Sequence, residues 1–404
     1  MVINVISYVY HLIVGRLLGP VEYGILASVF SVFYIVSVVP LSSSIAIVKF
    51  ISSAKNLKEV TQIYEGINSF VLKLAIVLTV VMLLVSAPLS KFLNIPSSLP
   101  LMMLAPVIFF SLLTLVNQST AQGLFKFMGV VGPSFASNFI KLVLGVVFIM
   151  LGLAVPGAML AIVIGAILTY IYSLVIVKKE ITTLPKRTKF DLGPFLKYAL
   201  PALMQALAFT SLFTVDVILV KHFLPDFEAG LYASLSTSGK IIYFAVTPIA
   251  GVMFPIVAKR HVSGESYKKI LLISLVAVIG LAVGIDAIYY FFPKIAISIL
   301  FGTKYLGASG ELILMGLFMT FYSINYFLVN YFLAFGKVKV VALPITAAIL
   351  QIILIFFFWH SNIAQVLTVC ISLMVLVFIG LSAILAYGKK TTFSYSAGIQ
   401  RAND

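Results

Sequence analysis

The 404-residue chain is 62% apolar and only 10% charged, with a mean hydropathy of +1.17. That leaves too little polar surface to cover a water-soluble domain, so lipid must solvate much of the chain. The net charge of +15 would suit a nucleic-acid surface, but the charges sit in short gaps between apolar runs, and the single cysteine, Cys370, allows no internal disulfide.

A bilayer span needs about 20 apolar residues. In chain order the pattern predicts helices over 2–18, 24–50, 66–90, 98–122, 128–152, 154–178, 194–222, 228–258, 267–292, 308–335, 338–359 and 363–388. Backbone groups in lipid must pair within the segment, so these are helices. The short alternating segments of a β-barrel are missing. The N-terminus lacks the basic flank of a cleavable signal peptide. Pro40, Pro106, Pro133, Pro201 and Pro248 fall inside predicted spans and invite bends, as packing adjustments or as the kinks of a rocking transporter.

Lysine and arginine set the orientation. With the N-terminus in the cytoplasm, nineteen of the 27 fall inside, among them Lys49, Lys55, Lys126, Lys178, Lys186, Lys259 and Lys389. Five fall outside: Arg16, Lys91, Lys221, Lys294 and Lys304. Lys73, Lys141 and Lys240 lie within spans. Both termini are therefore expected on the cytoplasmic side of the cell membrane, with an even number of spans.

The chain repeats itself. GRLLGPVEYGILASV (15–29) resembles VKHFLPDFEAGLYASL (220–235), pairing Pro20 with Pro225, His11 with Asp216, Glu22 with Glu228, Gly24 with Gly230 and Pro40 with Pro248. A second echo joins FMGVVGP (127–133) to FGKVKVVALP (335–344). Six helices per half is even, so the halves run parallel about an axis along the membrane normal. The expected architecture is all-α: a six-helix lobe over 1–178, a basic cytoplasmic linker over 179–193, a second lobe over 194–388, and a tail over 389–404, with the lobes enclosing a central cavity. By the repeat offset Met1 aligns near Ala206, so about eleven residues of a full first helix have no counterpart.

RLLGPVEYG and VDVILVKHFLPDFEAGLYAS resemble the polysaccharide flippases of the multidrug/oligosaccharidyl-lipid/polysaccharide exporter superfamily, which includes the O-antigen and teichoic-acid type exporters. The resemblance implies two parallel six-helix lobes, alternating access, and a saccharide on a polyprenyl phosphate or diphosphate as substrate.

Charge inside a span is costly and marks function by default. Lys141, near mid-bilayer in SNFIKLVLG with Asn138 on the same face, is the foremost candidate to hold a lipid phosphate; its alternative is an ion pair with Asp216 or Asp286. Lys240 lies deep in the eighth helix, Lys73 two turns inside the third and able to snorkel, and Arg16 ends the first helix, free to line the cavity or pair with Glu22. Asp216 and Asp286 are candidates for proton or sodium coupling, or for pairing with Arg16, Lys141 or Lys221. His11 can titrate near neutrality or simply pack. Polar side chains at Ser42–Ser44, Asn117, Gln118, Gln122, Gln205, Asn325, Asn330 and Gln351 bridge helices or meet sugar. Tyr8 and Tyr10 stack on sugar or pack in the core. Tyr289, Tyr290, Phe291, Phe292, Trp359 and His360 suit an interfacial belt. Gly280 and Gly284 form a GxxxG helix-contact signal.

There is no GxxxxGK[ST] loop, no HExxH pair and no metal-ligand cluster. The expectation is a monomeric secondary transporter rather than an enzyme. It needs no cofactor, binds no nucleic acid, and meets a lipid-linked saccharide, membrane lipids and a coupling proton or sodium ion. A cation-coupled multidrug antiporter and a non-transporting partner in polysaccharide assembly are the alternatives.

Overall fold

The computed structural model describes residues 2–181, 193–263, 266 and 268–387, and among them it is helical with no strand. Residues 182–192, most of the expected linker, and the whole 389–404 tail lie outside the described residues.

Helix α1 runs Val2–Ser52, interrupted at Gly19 by φ 77° and ψ 174°. Glycine enters that left-handed region without a Cβ penalty, and the chain doubles back there. The rings of His11 and Phe30 stand 5.0 Å apart, whereas a straight helix would separate them by about 28 Å. α2 (Leu57–Phe92) starts earlier than the hydropathy suggested. Asn56 accepts the Glu59 amide at 2.9 Å and the Glu59 carboxylate accepts the Lys55 amide at 2.8 Å, so a reciprocal cap carries the helix beyond the apolar run. A short α3 (Leu99–Met102) precedes α4 (Leu104–Gly123). α5 (Met128–Phe148), a π-helical turn (Ile149–Leu153) and α6 (Ala154–Glu180) form a second hairpin, with Gly152 at φ 84° and Ala154 at φ 43°. Lys126 and Glu180 close its far end at 3.2 Å.

In the second half the expected seventh helix is broken into α7 (Gly193–Leu212) and α8 (Val215–Phe223), with Phe213 and Thr214 between them. Then follow α9 (Asp226–Val262), α10 (Lys268–Phe291), α11 (Pro293–Leu300), a 3₁₀ turn (Thr303–Ala308), α12 (Leu312–Leu333), a 3₁₀ turn (Val338–Val341), α13 (Ala342–Phe357) and α14 (Ile363–Tyr387). α11 was not anticipated; it occupies part of what hydropathy read as a loop.

Ten helical runs among the described residues are long and apolar enough to cross a bilayer. Two of the ten, containing Gly19 and Gly152, double back; twelve spans were expected. The chain is a multi-pass membrane protein. Long hydrophobic faces on α2, α10 and α14 and the π-helical turn after α5 are exposed (Leu84, Val276, Leu376 and Met150 all exceed 60%), as lipid-facing surface should be.

α1 is the axle of the structure. Within the first half it packs on α4 and α5, and across the halves it packs on α7, α8 and α9. Gly24 and Gly230, paired by the repeat, meet each other: a Cβ on Gly24 would lie 3.0 Å from the Gly230 nitrogen, and one on Gly230 would run into the Pro20 carbonyl oxygen. The Gly280/Gly284 signal marks no such contact, since a Cβ at either meets open space. Tyr289 also departs from the expected interfacial belt: it is 3% exposed and donates to the Ser238 carbonyl at 2.8 Å, while Tyr290, Phe291 and Phe292 beside it are exposed.

Candidate functional site

Two cavities lie along α1. The first, about 230 Å³, sits between the halves. Both arms of α1 contribute to it, with Ser7, Tyr8 and His11 from one arm and Tyr23, Phe30, Ser31 and Tyr34 from the other; α9 supplies Ser236, Thr237 and Lys240. The aromatic wall is held by hydrogen bonds across the halves, between Tyr23 Oη and Thr237 Oγ1 at 2.8 Å and from the Tyr8 hydroxyl to the Thr237 carbonyl at 3.4 Å. Lys240 Nζ lies 5.0 Å from the Phe213 ring centre and 5.7 Å from that of Tyr34, so π-faces stabilise its charge. Among the described residues no carboxylate lines this cavity.

The second cavity, about 280 Å³, lies inside the first half among α1, α4, α5 and α6. Lys141 and Asn138 line it. Lys141 donates to Ser7 Oγ at 3.1 Å and lies 4.6 Å over the Tyr10 ring. Its partners are a hydroxyl and a ring, not Asp216 or Asp286. Since Ser7 faces the first cavity, Lys141 stands in the wall between the two. Asn138 Nδ2 donates to the Ser134 carbonyl at 2.9 Å, one turn back.

The other candidate cations lie elsewhere. Arg16 lines neither cavity; it donates to the carbonyls of Leu300 (3.2 Å), Ser298 (3.4 Å) and Ile299 at the C-terminal end of α11, where a helix dipole favours a cation. Lys73 is exposed on α2 and lines neither cavity. Lys221, the repeat partner of Arg16, is 1% exposed and paired with Asp226.

Asp216 is 1% exposed in the first turn of α8, just after the helix break. Tyr232 donates to its Oδ2 at 2.6 Å, and Oδ1 has no hydrogen-bond partner among the described residues. Gln351 lies in the same buried neighbourhood through Cys370; its amide donates to the Leu212 carbonyl (3.1 Å) and its Oε1 is also unpartnered. Asp286 is 7% exposed on α10, accepts from Thr320 Oγ1 at 2.7 Å, and rests where a side chain on Gly316 would stand. Neither aspartate lines either cavity.

One end of the molecule is sealed by two related contacts between the halves. The tip of the first arm of α1 meets α11 and the turn after it: Arg16 as above, and Tyr305 Oη to the Gly15 carbonyl at 2.6 Å. The tip of α8 meets the end of α2: His222 stacks on Phe92 at 4.0 Å, and Asn94 Nδ2 donates to the His222 carbonyl at 2.8 Å.

Sequence reasoning missed the hydroxyls of the second cavity. The signal was present as spacing: Ser111, Thr114 and Gln118 on α4, and Ser134, Asn138 and Lys141 on α5, recur at three or four residues along one face.

The profile of the family described as "Polysaccharide biosynthesis protein" matches residues 1–261. Comparison with curated protein sequences finds no match. Among solved structures, an inward-facing multidrug resistance MATE family transporter of the MOP superfamily is similar at TM-score 0.73 and 13% identity, over 96% of each chain. The lipid II flippase MurJ in an inward closed conformation is similar at TM-score 0.73 and 16% identity, over 96% of this chain and 87% of that one. A MOP superfamily transporter from Pyrococcus furiosus, described as having a binding pocket of reversed polarity, gives 0.62 and 17% identity over 97% and 94%. At these identities the likeness is one of fold.

Proposed function

We propose a function from this premise: the chain belongs to the polysaccharide biosynthesis protein family, on the fold of the MOP superfamily transporters. It is a flippase that carries a polyprenyl phosphate- or diphosphate-linked saccharide across the cytoplasmic membrane by alternating access. The observation that carries the reading is the central cavity, which offers one ammonium group, Lys240, amid aromatic and hydroxyl side chains and no carboxylate. A cation in a low-dielectric cleft attracts phosphate far more strongly than it does in water. A site built for cationic drugs would place a carboxylate on the wall; neither Asp216 nor Asp286 lines either cavity, although Asp216 lies within electrostatic reach of Lys240. A cavity of about 230 Å³ between the halves also weighs against a purely structural partner, whose centre large side chains would fill.

The lobes are 1–178 and 194–388, with twelve spans, both termini cytoplasmic and the sealed end outermost. Rocking the lobes about the Gly24–Gly230 contact would open that end. Asp216 is the coupling site: its free Oδ1 and that of Gln351 Oε1 are acceptor oxygens suited to a proton or a sodium ion. Neighbours named for lipid II and for multidrug resistance fit a lipid-linked substrate and an ion-coupled cycle, respectively.

The test is flipping of a fluorescent lipid-linked saccharide in proteoliposomes. Lys240→Gln is expected to lower the rate at least about tenfold while leaving insertion and folding intact, and Lys240→Arg to retain part of it. Wild-type flipping by Lys240→Gln would refute the reading.

A further inference from the structure

We propose that the second cavity is the subsite for the saccharide portion of the substrate, separate from the phosphate anchor at Lys240. The proposal rests on the flippase reading above and adds to it a place and a chemistry.

Polar side chains inside a membrane protein normally satisfy one another between helices. Here two such pairs exist, Gln118 Nε2 to Ser134 Oγ and Lys141 Nζ to Ser7 Oγ, both at 3.1 Å, while Asn138 and Thr169 donate to carbonyls of their own helices and keep acceptor capacity toward the cavity. These side chains surround open volume. Ser111 and Thr114 on α4, Ser137 and Asn138 on α5, and Thr169 on α6 all line it, and Thr114 Oγ1 is buried with no hydrogen-bond partner among the described residues. Helix packing alone would have closed that volume with aliphatic side chains. At about 280 Å³ it is near the roughly 300 Å³ lower bound of small-ligand pockets and many times the ~30 Å³ share of one water.

The lining identifies the ligand class. Hydroxyls and carboxamides both donate and accept, as a ring of sugar hydroxyls requires. Phe30 and Phe33 offer flat apolar faces suited to the C–H side of a pyranose. The charged group on the wall is Lys141, so an anionic substituent is welcome and a cationic one is not.

The two cavities touch. Phe30 lines both, and Lys141 in the second is bonded to Ser7 in the first. A phosphate at Lys240 therefore leaves its first sugar at the Phe30 wall, and a movement of that ring joins the compartments. Lys141 is then positioned at the phosphate–sugar junction rather than at the phosphate itself.

The experiment uses the full chain in nanodiscs with Cys370→Ala and Ser137→Cys, the latter introducing a thiol on the cavity wall. Its reaction with a small water-soluble thiol reagent is followed in three states: no addition, bare polyprenyl phosphate, and the glycolipid pool extracted from the source cells. The glycolipid pool is expected to slow modification at least fivefold, and bare polyprenyl phosphate to leave it unchanged. An inert thiol, no protection by the pool, or equal protection by both lipids would each overturn the proposal. Adding Lys240→Gln separates the two claims. Loss of protection supports both the anchor and the subsite, whereas protection that persists unchanged leaves the subsite standing and removes Lys240 as the anchor.

Discussion

Sequence echoes relate the two halves, yet their interiors differ in chemistry. In the first half the polar interior is hydroxyl, amide and ammonium, arranged around open volume. In the second half the buried polar groups include Lys221, Asn325 and Gln351 as well as two carboxylates, and each of those acids is packed closely: Asp216 under Tyr232, Asp286 against Gly316 and Thr320. No aspartate occurs before Asp191. Setting Pro133 beside Pro344 places the Ser134, Ser137, Asn138 and Lys141 of α5 opposite Ile345, Ala348, Ile349 and Ile352 of α13. Duplication preserved the frame, including the Gly24–Gly230 contact where the repeats touch, and released the side chains to diverge. In the proposed cycle a substrate and a coupling ion would have different needs, so one half could keep a cavity while the other closes around oxygen atoms.

The frame itself is the most sensitive place to break the comparison. Gly230→Leu would drive a side chain into the Pro20 carbonyl, which is backbone and has little room to yield. The expected result is near-complete loss of flipping together with about 1–3 kcal/mol of destabilisation, read by proteoliposome flipping and by thermal unfolding in detergent. Wild-type behaviour in both would mean the halves do not close on this contact.

The next largest effects distinguish the halves. Asp216→Asn should remove the dependence of flipping on the ion gradient while leaving binding of polyprenyl phosphate unchanged. Lys141→Ala should lower flipping of glycosylated substrate by about tenfold, the scale of about 1.4 kcal/mol, and Lys141→Arg should recover part of it. The double variant Lys141→Ala, Asp216→Asn should show no rescue, because Lys141 is bonded to Ser7 and Tyr10 and not to Asp216. Rescue in the double variant would reinstate an ion pair between the halves. Asp286→Asn should cost less than about threefold, since an amide oxygen still accepts from Thr320.

Much of this architecture was legible in the sequence because lipid imposes simple rules. Hydropathy located the spans, and the echo of Gly15–Val29 in Val220–Leu235 identified the residues that meet at the centre. The misses have physical causes. The start of α2 was placed late because a helix capped by Asn56 and Glu59 continues into water, where hydropathy is silent. The break between α7 and α8 leaves no compositional mark, since Phe213 and Thr214 are common in spans. Among the candidate cations, depth in the span ranked Lys141 first and allowed Lys73 to snorkel, but which of them line cavities depends on helix rotation, which depth does not reveal. The serines and threonines were passed over because a hydroxyl in a span most often bonds its own helix carbonyl, as Ser31, Thr169 and Ser323 do here.

The smallest predicted effect concerns the sealed end. Arg16 and His222 stand at corresponding tips of the two halves, and each reaches across to the other half, but by different means. Arg16 is exposed and donates to the last carbonyls of α11, an interaction of a cation with a helix C-terminus that contributes about 0.3–1 kcal/mol at an exposed position. His222 stacks on Phe92, its Nδ1 hydrogen-bonds the Phe92 carbonyl at 2.5 Å, and its own carbonyl receives Asn94, so ring contact and backbone hydrogen bonds hold it, with no ion pair among the described residues. Removing the guanidinium with Arg16→Ala should therefore shift the balance between closed and open forms by at most about fivefold, and the shift should shrink as salt is raised. Phe92→Ala should produce a shift that salt does not change. Distances between spin labels at 95 and 226, both near the sealed end, would report the two populations. A salt-independent effect of Arg16→Ala would show that its packing against α11, rather than its charge, keeps that end closed.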